Sequence, residues 1–373
     1  MSLLTLLLLT GALALVVGCL LPAVRRPDSV VRVPGPVDVS PELAAAWKGS
    51  RARTWLLYFC APLAIALTLG LASVVEGANG LGAALAPLGM AALVCLVAAW
   101  PRRRVLGEGS VRTAGLEARP AARFGARWVL ALPLSVLGTL VLLLVLTGIG
   151  SARDATDGRW RSLAYTSRSG IEWNTDGTVV TGIQEGTGAS GPYPGWYYGL
   201  PVIAAAVIVA LLLVLALRSN ALAPAWQGRG AASLDAPARA AVARTASLLV
   251  SVCGLITLGG VAAMAGSAWY SSAWESALEV GQRVEVPLDS PQQLDPWRLG
   301  VAIAFGALGL VSMFVGTLLG GVLGATLRVF RAPVTSDGRR VTGPWPVPEA
   351  AAAAGQAGGA VGRMDPADGA AAQ

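Results

Sequence analysis

Seven stretches of the chain, each about twenty residues long or longer, contain no Asp, Glu, Arg or Lys. They cover residues 3–21, 55–75, 80–100, 128–150, 197–217, 246–268 and 300–326, and every ionisable Asp, Glu, Arg and Lys falls between them. A helix needs roughly 20 apolar residues to cross a bilayer core of about 30 Å. Helices suit this task because they satisfy their own backbone hydrogen bonds where no water can. The pattern therefore predicts an all-α polytopic membrane protein with seven transmembrane helices. Composition agrees: only 13% of residues are charged and the mean hydropathy is +0.62. Soluble domains carry about 25% charge, so this chain has too little to cover a water-facing surface.

Arginine sets the expected orientation. With the N-terminus outside, the inner segments 22–54, 101–127, 218–245 and 327–373 hold 22 of the 28 basic residues. Arg102, Arg103 and Arg104 directly follow the third stretch, and Arg25 and Arg26 closely follow the first. The reading places the chain in the cell (plasma) membrane, N-terminus extracytoplasmic and C-terminus cytoplasmic. The sequence pI near 9.7 then reflects topology, with anionic lipid rather than nucleic acid as the partner of the inner face. Trp55, Trp100 and Trp128 mark inner helix ends; Trp196, Tyr197, Trp269, Tyr270 and Trp297 mark outer ones, as the amphipathic rings of headgroup-level residues do. The first stretch has a second reading. Val16-Val17-Gly18-Cys19 resembles a lipobox, so processing at Cys19 competes with a retained helix. The lack of a basic n-region and the continuation through Leu20 and Leu21 favour retention.

A transmembrane domain over 1–327 is thus expected as one leading helix and three hairpins, with a tail over 328–373. That tail is rich in Ala, Gly and Pro and is expected to be disordered and cytoplasmic. Three inner stretches share an acid followed by arginines ahead of a span: Glu42 to Arg53, Glu117 to Arg127 and Asp235 to Arg244. This order suits the helix dipole and reads as short helices lying on the inner membrane surface, a loose internal repeat. Two outer loops are long, 151–196 and 271–298. In the first, 160–166 and 170–173 read as strands, 174–177 (Asn-Thr-Asp-Gly) as a turn and 178–183 as a returning strand. The Gly- and Pro-bearing run 186–194 reads as loop. In the second, 280–286 reads as a strand and 287–296 as loop. Together the two loops are expected to form a small, partly β extracytoplasmic cap.

The chemistry-bearing residues are sparse. Histidine is absent and Lys48 is the only lysine, which removes Ser-His catalysis and the commonest metal ligand. Cys19, Cys60, Cys95 and Cys253 are isolated within different stretches and read as small buried residues. No catalytic, cofactor or metal residue is assigned. Spans without ionisable groups argue against ion-coupled transport; Pro62, Pro87 and Pro133 are candidate helix breaks. The aromatic residues of the outer segments, Trp160, Trp173, Tyr193, Trp196, Tyr197 and Trp274, are candidate contacts for a partner, since Trp and Tyr lead at interfaces. Anchoring at the headgroups, or a small core within the cap, is the competing role, and the stronger one for Trp196 and Tyr197. Gly316, Gly320 and Gly324 form two overlapping Gly-x-x-x-Gly steps, a close helix-packing face that is expected to be intramolecular.

The segment Ser190-Gly191-Pro192-Tyr193-Pro194-Gly195-Trp196-Tyr197-Tyr198-Gly199 resembles the start of a span in uncharacterised multi-pass membrane proteins of high-GC actinobacteria. Heavy use of Ala, Leu, Gly and Arg with almost no Lys matches that group. The resemblance implies membrane location and topology and carries no activity. The sequence thus leads to a non-enzymatic accessory or interaction protein that uses its outer loops on a membrane or envelope partner. A permease or lipid-handling protein with a cavity between its hairpins, not ion-coupled, is the alternative.

Overall fold

The computed structural model describes residues 41–74, 80–101, 127–176, 178–226, 231–276 and 292–329. Six helices lie among them: α1 Pro41–Val74, α2 Leu81–Ala99, α3 Arg127–Ile149, α4 Trp196–Leu222, α5 Ala231–Ser272 and α6 Pro296–Val329. Five of these are long and apolar enough to cross a membrane, over Leu81–Ala99, Ala131–Ile149, Trp196–Leu222, Leu234–Ser272 and Pro296–Gly321. The second expected stretch lies at the end of α1. The first, over 3–21, lies outside the described residues, as do the tail beyond 329 and the segment 102–126. The protein is mostly helical, with a small antiparallel sheet.

The inner charged stretches at 41–53 and 233–244 are not separate surface helices. Each continues without interruption into the apolar stretch that follows, giving α1 its 34 residues and α5 its 42. At 1.5 Å per residue, α5 is about 63 Å long, roughly twice the hydrocarbon thickness. The physical reason is burial: Leu43, Trp47, Leu234, Ala238 and Arg239 are packed inside the protein, so these turns have protein partners and no need of the membrane surface. Helices α2 and α3 likewise run on through Pro87 and Pro133 without a break.

Helix α5 is the centre of the bundle. It packs against each of the other five helices, and 72% of its apolar window is buried, against 28–56% for the other four windows. Small residues allow this. A Cβ placed on Gly259 would sit 2.9 Å from the Gly309 carbonyl, and one on Gly309 3.0 Å from the Gly259 carbonyl. At Gly266 it would meet the Ala302 carbonyl at 3.1 Å, and at Gly254 the Val136 side chain of α3 at 2.7 Å. The backbones of α5 and α6 therefore touch, as small-residue faces permit.

The Gly-x-x-x-Gly face of α6 is corrected in position. Gly316 does face α5, with Leu255 and Ile256 within van der Waals reach of a Cβ there, but Gly320 meets nothing within 4 Å. Gly324's side lies outside the described residues. The helices come closest nearer the start of α6, at Gly309 and Gly306. A spacing motif records where small residues recur and not where two axes cross.

The strands all lie at one end of the bundle. Strands β1 (Ser151–Arg153), β2 (Trp160–Trp173) and β3 (Val180–Ser190) form an antiparallel sheet in the order β1-β2-β3. Strands β4 (Trp274–Ser276) and β5 (Gln292–Leu294) pair antiparallel as a second ribbon, and β4 lies against β2. The described parts of 151–196 and 271–298 thus pack together. Several boundaries differ from expectation: β1 and β4 lie where no strand is expected, and β2 is continuous from Trp160 to Trp173 rather than two strands. β3 runs on through 186–190, where Gly and Ser were read as loop, because each residue there pairs with β2 from Leu163 to Ser167. β5 falls in 287–296, also read as loop; 280–286 lies outside the described residues.

Candidate functional site

The cap rises from a junction built by close approaches. α3 ends at Ile149 and the chain turns directly into β1, with the Ser151 hydroxyl donating to the Gly148 carbonyl at 2.6 Å. On the return, Gly195 lies so near Ser151 and Trp160 that a Cβ would strike the Trp160 carbonyl. Glycine is required there by space. The Trp196 ring lies on Gly148, 2.8 Å from where a Cβ would stand. Tyr193 is 3% exposed, and its backbone N–H donates to the Arg161 carbonyl at 2.8 Å. Burial pushes the Tyr193 phenol up to about 12, opposed only in part by the Trp269 indole facing its oxygen.

Arginines tie this junction together. Arg161 donates to Asp154 at 2.8 Å and lies 3.3 Å from Asp157. Hydrogen bonds from the Thr156 hydroxyl and backbone N–H, aided by Arg161, hold the Asp154 carboxyl below its ordinary range. Arg159 stacks 5.0 Å over the Tyr197 ring and donates to its hydroxyl at 3.1 Å. Arg298, at the head of α6, reaches three ways: to the Ser272 carbonyl of α5 at 2.8 Å, to the Thr166 carbonyl of β2, and over the Tyr165 ring at 5.3 Å. Asp295 pairs with it at 3.2 Å. Arg298 thus pins the sheet to two helices. These arginines were not singled out from the sequence. No spacing relates Arg298 to Thr166, which stand 132 residues apart.

Beyond the junction, β2 and β3 continue as a two-stranded ribbon. β1 pairs only with the first residues of β2, up to Leu163, whereas β2 and β3 pair from Leu163 opposite Ser190 to Trp173 opposite Val180. At about 3.3 Å per residue, this ribbon is about 30 Å long. Its turn is closed by Asn174, whose side-chain oxygen accepts from the Thr178 and Val179 N–H groups at 2.8 and 3.0 Å. Glu172 accepts from the Gln184 amide across the strands. Glu172, Thr175, Asp176, Thr181, Gln184, Glu185 and Thr187 are exposed. The outer edge of β3 pairs with no strand among the described residues. That edge holds no Pro or Lys and a single charge, Glu185, so it has little of the protection usual at edge strands.

The six aromatic candidates do not form one patch. Trp160 (42% exposed) and Trp274 (40% exposed) face outward, Trp160 beneath the Arg153 guanidinium at 5.3 Å and Trp274 edge-on to Tyr270 at 6.2 Å. Trp173 is half-buried at the far end of the ribbon, opposite the buried Val180. Trp196 and Tyr197 are half-buried in the junction at the head of α4. Tyr193 is corrected from a surface contact to a core residue, because the junction folds over it.

At the opposite end, two arginines hold helix ends. Arg239 is fully buried and donates to Asp235 at 2.8 Å and to the carbonyls of Asn220 and Pro224, each at 2.8 Å. The Asn220 amide returns a bond to the Arg239 carbonyl at 3.0 Å. Arg53 of α1 donates to the carbonyls of Val97, Ala98 and Trp100, at 2.6 to 3.1 Å. Both occupy the negative, carbonyl end of a helix. Beside Arg53 lies a half-open cavity of about 590 Å³. Cys95 and Cys253 are buried free thiols within α2 and α5. No protein-family model, curated protein or solved structure matches the chain.

Proposed function

We propose that this is a plasma-membrane accessory protein, not an enzyme, whose cap lies outside the cytoplasm and captures an extended segment of a membrane or envelope partner. The observation that carries the reading is the open edge of β3. A lone two-stranded ribbon is marginal in water, and an edge with only Glu185 as a charge is a template for strand addition. Backbone groups from Thr181 to Gly188 supply the pairing, and Trp160 and Trp274 supply exposed rings to either side of the junction. The orientation follows from the basic residues, which concentrate in segments at the Arg53 and Arg239 end. Helices of Ala, Leu and Gly in the manner of high-GC actinobacterial membrane proteins support the location. The uncharged stretches at the core of the spans hold no Asp, Glu, Lys or Arg, so no carboxylate or amine there suits proton or sodium coupling.

The alternative, a permease or lipid-handling protein, draws on the cavity beside Arg53. That cavity lies at one end of the apolar stretches: its lining reaches no further than Leu56, the second residue of 55–75, and Val97, near the end of α2. It suits a resident ligand better than a path.

Purification from native membranes in mild detergent, followed by mass spectrometry, tests the proposal. The variant that replaces residues 168–185 with Asn-Gly joins Ser167 to Gly186, which already face each other, and leaves the junction intact. A stoichiometric partner found with the full chain and lost with this variant is the expected result. An unchanged set of co-purifying proteins overturns it.

A further inference from the structure

We infer that the cavity between the start of α1 and the end of α2 is a binding site for one anionic phospholipid, its phosphate on Arg53 and its acyl chain against the apolar wall. The site is formed by Gly49, Ser50, Arg53 and Leu56 of α1, with Trp100 after α2 and Trp226 after α4. Its volume of about 590 Å³ is that of a small-molecule pocket. The wall is almost wholly apolar, so the occupant must be so too. Two polar groups break that wall. The Ser50 hydroxyl is buried and makes no hydrogen bond among the described residues. Arg53 uses Nε and Nη2 on the carbonyls of α2, while Nη1 has no bond among the described residues.

The charge of Arg53 points to the ligand. Arg161, Arg239 and Arg298 each have a carboxylate within 3.5 Å. Arg53 has none among the described residues; it is desolvated and faced only by carbonyl dipoles. A helix end offers about half a unit of negative charge, so the half-buried guanidinium is left partly uncompensated and attracts an anion. A phosphate diester on Nη1 supplies it. Lys48 and Arg51 are on the same helical turns, and Glu42 is the only acid in α1. The occupant is therefore an anion with an apolar body.

The inference rests on the membrane reading and not on the ribbon's partner, so either fails without the other. The test is native mass spectrometry of the full chain released from micelles holding equal amounts of phosphatidylglycerol and phosphatidylcholine. One retained phosphatidylglycerol is expected, with a preference of about tenfold: both lipids offer the phosphate, but the choline cation of the second cancels its charge and is repelled by Arg53, Arg51 and Lys48. Arg53→Gln is expected to abolish the preference. Gly49→Leu keeps Arg53 and fills the cavity; a Cβ at Gly49 meets nothing within 4 Å, so this variant folds and is expected to lose the retained lipid. Equal retention of the two lipids by the unmodified chain, or undiminished retention by Gly49→Leu in a folded protein, overturns the inference.

Discussion

Arg239 is a fully buried side chain with every reach committed to a partner. It neutralises Asp235 and holds the last carbonyls of α4 while wholly removed from water. Removing one member of a buried pair strands the other, at a cost of about 3–5 kcal/mol. Arg239→Ala is expected to lose that much in reversible denaturant unfolding, and Arg239→Lys to recover less than half, because an ammonium lacks the fork that reaches three acceptors. Tyr193 gives a pH signature. Its folded pKa is raised above the ordinary value of about 10, to about 12. Its contribution to stability is therefore complete below about pH 10 and is lost as pH rises towards about 12. Tyr193→Phe should remove that alkaline loss and, in absorbance titration, the corresponding late tyrosinate. Neither role was legible beforehand. Arg239 was read as one of several arginines preceding a span, and Tyr193 as a surface aromatic, because a linear sequence does not reveal what folds over a residue. The absence of His was legible, since it is a property of composition.

Among elements, α5 and α6 show where pattern reading stops. Both were found from length and lack of charge alone, because membrane insertion depends on the local run of residues. Their contact was not, because it depends on two faces meeting. Small residues at Gly259, Gly266 and Gly309 bring the backbones together, whereas the more conspicuous Gly320 faces open space. Gly309→Leu is expected to destabilise the bundle by about 1–3 kcal/mol through overpacking, and Gly320→Leu to have little effect, both read by unfolding in mixed micelles. The ribbon was legible from Asn174 to Gly177 and from β-branched neighbours. Its extension through Gly186 and Gly188 was not: the Tyr165 ring lies over Gly188 and compensates for the missing side chain, a cross-strand effect. Arg298→Gln removes the tie between β2, the end of α5 and the head of α6. Faster hydrogen exchange across residues 163–167, with exchange in α5 unchanged, is the expected outcome.

The whole molecule has two unlike ends. One carries the sheet, with arginines spent on aromatic rings and carbonyls of the cap. The other carries arginines that hold helix ends and border a cavity. That polarity was visible in the placement of 22 of 28 basic residues, and the two loops were recognised as one cap. The continuous helices through 41–53 and 233–244 were not, since the same acid-then-arginine order serves a helix on a membrane surface and a helix packed on protein. Everything proposed for β3 requires the ribbon to face away from the cytoplasm. The most direct test is labelling of single cysteines in intact cells with a membrane-impermeant maleimide, in a chain with Cys19 and Cys60 replaced by Ser; Cys95 and Cys253 are buried. Thr175→Cys, at the exposed tip of the ribbon, should label at once, and Lys48→Cys, exposed at the other end, only after permeabilisation. Labelling of Lys48→Cys alone in intact cells would contradict the account.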